Sequence, residues 1–186
     1  MGKFFETFYG ILFHPVETFR NFDCAKSYKM PLAVVLLMSI FLFIIKNSIF
    51  TFSFGTLFEY IFNAIGLIIM WLFFAFFVDM LAKIFNIESG YNRLLTLTAF
   101  GLVPWIFLAP VKLLKGLGET TSDIASILLV GIWIWTIVLQ ILAVSETYKI
   151  PRENAIILMF IPFAGFILYI CWTWDFFAKL IQFSNL

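Results

Sequence analysis

The longest apolar segment of the chain extends from Leu57 to Phe85 and reads LFEYIFNAIGLIIMWLFFAFFVDMLAKIF. A helix of this length measures about 43 Å at ~1.5 Å per residue, which exceeds the hydrocarbon thickness of a bilayer, about 30 Å. Its ends carry Glu59 on one side and Asp79 with Lys83 on the other, so we expect them to protrude into the two membrane interfaces. The segment therefore predicts a membrane-spanning helix.

The composition of the whole chain agrees with this segment. Of its 186 residues, 63% are hydrophobic and only 12% are charged, whereas soluble domains average about 25% charged residues. The chain is too apolar for a soluble protein, and it has room for about five spans with short connections. No space remains for a large aqueous catalytic domain, so we do not expect an enzyme.

The fold class that follows is all-α: a polytopic membrane protein with five transmembrane helices and an N-terminal amphipathic interfacial helix. The expected spans are 31–50, 57–85, 94–113, 124–144 and 155–180. Prolines within the third span (Pro104, Pro110) and the fifth (Pro162) each remove a backbone hydrogen bond, so we expect helix breaks or kinks there.

Residues 1–30 form a separate segment that precedes the five-helix domain, 31–186. The segment is too short and too polar to span, and its apolar residues recur at helical spacing. We expect it to lie at the cytoplasmic membrane surface and to insert one face into the leaflet. The residues of that face are Phe4, Phe5, Phe8, Ile11 and Leu12.

The distribution of Lys and Arg predicts the orientation. Eight of them fall on the N-terminal segment and on the second and fourth loops, and four fall on the opposite side. By the positive-inside rule, the N-terminus is cytoplasmic and five spans place the C-terminus outside.

A few charged residues within or beside the spans are candidates for function, because a charge in hydrocarbon is costly. Asp79 and Lys83 are four residues apart, share a helix face and can pair with each other. They form either an ion or proton site or, as we favour, an interfacial salt bridge. Glu59 and Asp175 lie near the outer surface, where Lys46 could meet either carboxylate.

The sequence gives no sign of a metal site or a cofactor. His14 is the single histidine, and no CxxC or HxxxH spacing occurs. With a net charge of +1 and no concentrated basic face, the chain is not expected to bind nucleic acid either.

Three segments together resemble the Yip family, the Ypt/Rab-interacting membrane proteins and their prokaryotic relatives. They are FHPVETF (13–19), SGYNRLLTLTAFGLVPWIF (89–107) and WIWTIVLQILAVSETYKIPRENAI (133–156), of which the second contains Gly90, Tyr91 and Pro104. The resemblance covers nearly the entire chain. It implies a five-helix integral membrane protein with a cytoplasmic N-terminus.

Eukaryotic members of that family are associated with Rab GTPases, vesicle trafficking and membrane shaping. This chain has only about thirty residues before its first span and no acidic-aromatic signature between the early spans, which argues against GTPase binding. The resemblance is to the prokaryotic type, which implies the plasma (inner) membrane.

Two functions remain open at this point. The favoured one is a non-enzymatic scaffold that shapes the membrane or binds partners, which would be the lipid bilayer, other membrane proteins or a second copy. The alternative is a small oligomeric transporter or ion channel with a site between proline-broken helices. A polar cavity that reaches Asp79 would favour transport, and a closed bundle would favour the scaffold.

Overall fold

The computed structural model describes residues 2–22, 29–46, 54–88, 90–116 and 118–161, together with Ala164 and Thr173. In this part of the chain the regular structure is helical and no strand occurs. The helices are α1 (Gly2–Phe13), α2 (Pro15–Asn21), α3 (Lys29–Lys46), α4 (Phe54–Ile84), α5 (Tyr91–Phe100), α6 (Leu108–Lys115) and α7 (Glu119–Tyr148), with a 3₁₀ helix (Val103–Phe107) between α5 and α6. Residues 152–161 are also helical.

The all-α class is confirmed, and three helical segments of the described chain are long and apolar enough to cross a membrane. They are Phe54–Ile84, Tyr91–Lys115 and Glu119–Tyr148, which correspond to the second, third and fourth expected spans. The apolar part of α3, Lys29–Phe43, is shorter, and most of the fifth expected span lies outside the described residues. The total of five spans is therefore not confirmed.

α4 has one face toward protein and one face away from it. Its buried residues fall on one face of the helix and half of them are alanine, which lets the neighbouring helices approach closely. They are Ala64, Trp71, Ala75, Val78, Asp79 and Ala82. The opposite face exposes large apolar side chains, including Phe62, Met70 and Phe73. An exposed apolar surface of this extent is suited to contact with lipid.

α5 is the central helix of the bundle. All seven residues from Leu94 to Phe100 are buried, and the helix contacts α3, α4 and α7. Thr98 lies at the middle of these contacts, because its hydroxyl accepts a hydrogen bond from Trp71 Nε1 at 3.1 Å and donates one to the Leu94 carbonyl at 2.7 Å. Both buried hydroxyl functions are thereby satisfied.

The helical path is interrupted after α5. The Leu102 N–H bonds to the Ala99 carbonyl at 3.2 Å, as in a 3₁₀ turn. The Thr98 carbonyl instead accepts a hydrogen bond from Gln140 Nε2 of α7 at 3.0 Å. Pro104 lies in the 3₁₀ helix that follows. A side chain of another helix has taken the place of the missing backbone donor.

The two other prolines have different positions. Pro110 lies in the first turn of α6, where a missing N–H removes no intrahelical hydrogen bond, so the interruption expected there occurs earlier in the chain. Pro162 lies outside the described residues.

The N-terminal segment packs into the same core as the spans. α1 and α2 form a tight hairpin, which we call the N-terminal hairpin (residues 2–21). A Cβ atom at Gly10 would lie 2.5 Å from Thr18 Oγ1, so the hairpin needs a glycine there. Ile11 of α1 and Phe19 of α2 are fully buried in the main apolar cluster. The division of the chain at residue 30 stays a prediction, but it does not separate two cores.

Replacing Gly101 by alanine tests the contact between the interrupted helix and α7. The new Cβ would lie 2.7 Å from Gln140 Nε2 and would displace the amide from the Thr98 carbonyl. A buried carbonyl left without its donor costs about 1–3 kcal/mol. We expect Gly101→Ala to lower the midpoint of thermal unfolding in detergent.

The control is Gly131→Ala, in α7, where a new Cβ meets no atom within 4 Å. This variant should unfold at the same temperature or slightly higher, because alanine is favoured over glycine in a helix by about 0.5–1 kcal/mol. Equal midpoints for the two variants would contradict the proposed role of the Gln140 amide.

Candidate functional site

Asp79 and Lys83 form the ion pair that their spacing predicts. Lys83 Nζ lies 2.8 Å from Asp79 Oδ2, across one turn of α4. The two residues differ in their surroundings: Asp79 is 3% exposed, whereas the side chain of Lys83 is 59% exposed. The carboxylate is therefore enclosed by protein, and the ammonium group extends from it toward the end of the bundle.

The carboxylate has a second partner that the sequence analysis did not identify. The Tyr148 hydroxyl donates a hydrogen bond to Asp79 Oδ1 at 2.9 Å. Tyr148 is the last residue of α7, so this bond joins the end of α4 to the end of α7. The two residues are 69 positions apart in the sequence, and the local pattern around Tyr148 indicates only a turn.

The start of α5 is fixed at the same end of the bundle. Asn86, with a φ of +57°, ends α4 in a left-handed conformation that asparagine tolerates better than most residues. The following connection leads to Arg93, whose Nη2 donates hydrogen bonds to the carbonyls of Phe19 at 2.9 Å and Arg20 at 3.2 Å. The guanidinium group thus caps the last turn of α2 and anchors the N-terminal hairpin.

A further charge cluster lies beside this anchor. Glu146 of α7 pairs with Lys149 Nζ at 2.9 Å and with Arg20 Nη2 at 3.6 Å. The N-terminal segment, the second loop and the fourth loop therefore meet at one end of the bundle, which agrees with the distribution of Lys and Arg. The side of the membrane that this end faces stays a prediction.

The other predicted polar residues are not brought to this site. Glu59 is twenty residues before Asp79 in α4, about 30 Å away along the helix. The Lys46 side chain and Asp175 lie outside the described part of the chain, so the pairing of Lys46 with Glu59 or Asp175 stays a prediction.

The structure places the apolar residues of α1 on two different faces. Ile11 is fully buried, and Phe8 and Leu12 pack against the core, so these three contact protein where lipid contact was expected. The side chains of Phe4 and Phe5 lie outside the described part. The exposed aromatic residues among the described side chains of α1 are Tyr9 (60%) and Phe13 (63%), whose ring centroids lie 4.6 Å apart. An amphipathic pattern alone does not distinguish a protein-facing stripe from a lipid-facing one.

The geometry around Asp79 is that of a structural contact between α4 and α7. A buried carboxylate is stabilised by a charged partner and hydrogen bonds, and removing one partner is costly. Two cavities in the described part of the chain are lined by residues other than Asp79. Among the described residues, no group of three His, Cys, Asp or Glu side chains could hold a metal ion.

Replacing Tyr148 by phenylalanine tests the contact between α4 and α7. The substitution keeps the ring and removes only the hydroxyl that bonds Asp79. A hydrogen bond to a charged group contributes about 1.5–3 kcal/mol, so we expect a lower unfolding midpoint in detergent. Tyr9→Phe is the matched control, because Tyr9 is exposed on α1 and its replacement should leave the midpoint unchanged. If Tyr148→Phe behaved like the control, the bond would contribute nothing to stability.

Comparison with known proteins gives one finding. A family model described as the Yip1 domain matches residues 9–174, about nine-tenths of the chain. The match includes both Asp79 and Tyr148, and it covers most of the N-terminal hairpin. No curated protein matches significantly, and neither does any solved structure.

Proposed function

Since this chain belongs to the Yip1 domain family, we propose that it is a non-enzymatic membrane scaffold whose N-terminal hairpin lies within one leaflet. Family membership and the three apolar helices identify a multi-pass membrane protein. The Yip1 domain family is not a known family of enzymes. The observation that carries the proposal is the depth at which the hairpin docks.

The hairpin lies alongside the spans. α1 contacts the 3₁₀ helix Val103–Phe107, which is in the middle of the Tyr91–Lys115 segment. Val16 of α2 lines a groove together with Val138 of α7, ten residues or about 15 Å before the end of that helix. A segment that merely covered the loops would not reach this level.

The outward face of α1 is suited to the interfacial region of a leaflet. Tyr9 and Phe13 are one turn apart and exposed. Aromatic side chains are enriched at membrane interfaces, where an apolar ring and a polar group can both be accommodated. Because the hairpin occupies only one side of the membrane, its burial would act on one leaflet and favour curvature.

The partners of this scaffold would be lipids together with other membrane proteins or a second copy of the chain. The outer faces of α4 and α7 support this, because both expose rows of large apolar side chains. The full proposal comprises five spans, a cytoplasmic N-terminus, an external C-terminus and a prokaryotic plasma membrane. GTPase binding is not part of it.

The alternative of a transporter or channel is less well supported. It depends on access of water or ions to Asp79, whose carboxylate is enclosed and bound by Lys83 and Tyr148. The interruption near Pro104 likewise faces protein, because Val103 and Pro104 are buried.

A vesicle experiment tests the scaffold. The chain is reconstituted at a fixed protein-to-lipid ratio, and vesicle diameter is measured by cryo-electron microscopy. Wild type should change the mean diameter relative to protein-free vesicles. The double variant Tyr9→Ser/Phe13→Ser should lose at least about half of this change, because its aromatic face no longer partitions into the interface.

The matched control is Glu6→Gln, which changes an exposed polar residue of the same helix. It should behave like wild type. An aromatic variant that shaped vesicles as wild type does would overturn the proposal. Ion flux above that of protein-free vesicles, abolished by Asp79→Asn, would establish the alternative instead.

A further inference from the structure

A basic cavity of about 440 Å³ opens at the end of the bundle described above. Its charged lining consists of Arg20 from α2, Glu146 from α7, Lys149 from the turn that follows α7, and Arg152 from the start of the helix at 152–161. Three cations thus face one carboxylate. Glu146 is neutralised by Lys149 and Arg20, whereas Arg152 makes no ion pair within the described part of the chain. The cavity therefore has an excess of positive charge.

An apolar groove of about 240 Å³ adjoins this cavity. Its apolar lining is Val16, Val138, Ile141, Leu142 and Ile156, contributed by α2, α7 and the helix at 152–161. Arg152 lines both the groove and the basic cavity, so the two adjoin at that residue. On α7 the groove is lined from Leu142 inward to Val138, a rise of about 6 Å, and Val138 lies about 15 Å from the end of that helix.

The geometry points to a binding site for one anionic phospholipid molecule. The basic cavity provides cations for a phosphate-containing headgroup, and the groove provides apolar surface for an acyl chain. Basic pockets beside transmembrane helices recognise anionic headgroups in this way. A free anion would occupy the cavity but has no apolar part to occupy the groove. A neutral lipid would occupy the groove, but its headgroup would not balance the excess positive charge of the cavity.

The backbone at Lys149 supports a role for its ammonium group. Lys149 follows the end of α7 with a φ of +55°, a left-handed conformation in which glycine is the usual residue. Glycine would relieve the strain but would supply no charge. If the only role of Lys149 were to end the helix, its replacement by glycine would leave the binding of a ligand in the cavity unchanged.

The site is independent of the proposed insertion of Tyr9 and Phe13, since neither residue lines it. It needs the docked hairpin, α7, the turn after α7 and the helix at 152–161. A vesicle result that overturned the scaffold would therefore leave this inference untouched, and the reverse also holds.

Native mass spectrometry of the detergent-solubilised full chain tests the inference. The chain is titrated with phosphatidylglycerol and with phosphatidylcholine of identical acyl chains. Wild type should bind phosphatidylglycerol preferentially. Lys149→Gly/Arg152→Gln should reduce this preference by about tenfold or more, because each basic group near a membrane contributes about 1 kcal/mol. Lys149→Gly/Arg152→Lys, which keeps the second charge, should retain part of it.

A second variant tests the groove. Val138→Trp keeps the surface apolar but fills the groove, so it should weaken binding of both lipids. The control for charge removal is Lys112→Gln/Lys115→Gln, at the exposed end of α6. It should bind as wild type does.

Several outcomes would overturn the inference. One is an unchanged preference in Lys149→Gly/Arg152→Gln, with folding verified by the unfolding midpoint. Another is an equal loss in the α6 control, which would indicate non-specific attraction. The third is complete competition by millimolar inorganic phosphate together with unaffected lipid binding in Val138→Trp, which would identify the cavity as a site for a free anion.

Discussion

Inside a bilayer no water is present to bind a backbone carbonyl that a 3₁₀ turn leaves without its helical donor. The chain meets this constraint at Thr98, whose carbonyl is served by Gln140 of α7. The amide can reach it only because residue 101 is glycine and leaves space between the helices. The Thr98 hydroxyl also accepts a hydrogen bond from the Trp71 indole N–H. One residue of the central helix therefore bonds to both α4 and α7. The packing of the three long segments follows from this arrangement.

The polar contacts at the end of the bundle act on the same helices from a different level. Asp79 and Tyr148 join α4 to α7, and Arg93 joins α5 to the hairpin. These contacts use charged or hydroxyl groups at helix ends, where they lie close to the interface and are easier to hydrate during assembly. The interior of the bundle, in contrast, relies on small residues such as Ala75 and Ala82 for close packing. Stability and position of the helices are thus set by two layers of contacts.

The parts of the fold that follow from local composition were predictable. Apolar runs located α4 and α7 and the segment Tyr91–Lys115 to within a few residues, because hydrocarbon thickness sets the length of a span. The Asp79–Lys83 pair was predictable for a similar reason, since four residues bring two side chains to one helix face.

Contacts between distant segments were not predictable from the pattern. Tyr148 gave no sign of its bond to Asp79, and Arg93 counted only as a positive charge of a loop. Ile11 illustrates the difficulty best: protein and lipid are equally apolar, so an amphipathic helix does not reveal which of them its stripe contacts. Only the docking of the hairpin decides that Ile11 faces inward while Tyr9 faces outward.

The capping of α2 by Arg93 also constrains the order of events during synthesis. The hairpin is made before the spans, but the guanidinium group that caps it is made more than seventy residues later. The helix against which α2 packs, α7, follows later still. Neither contact can form before both of its residues have been synthesised. The hairpin can therefore complete its docking only after α7 has been made, so an early segment of the chain is among the last to reach its final position.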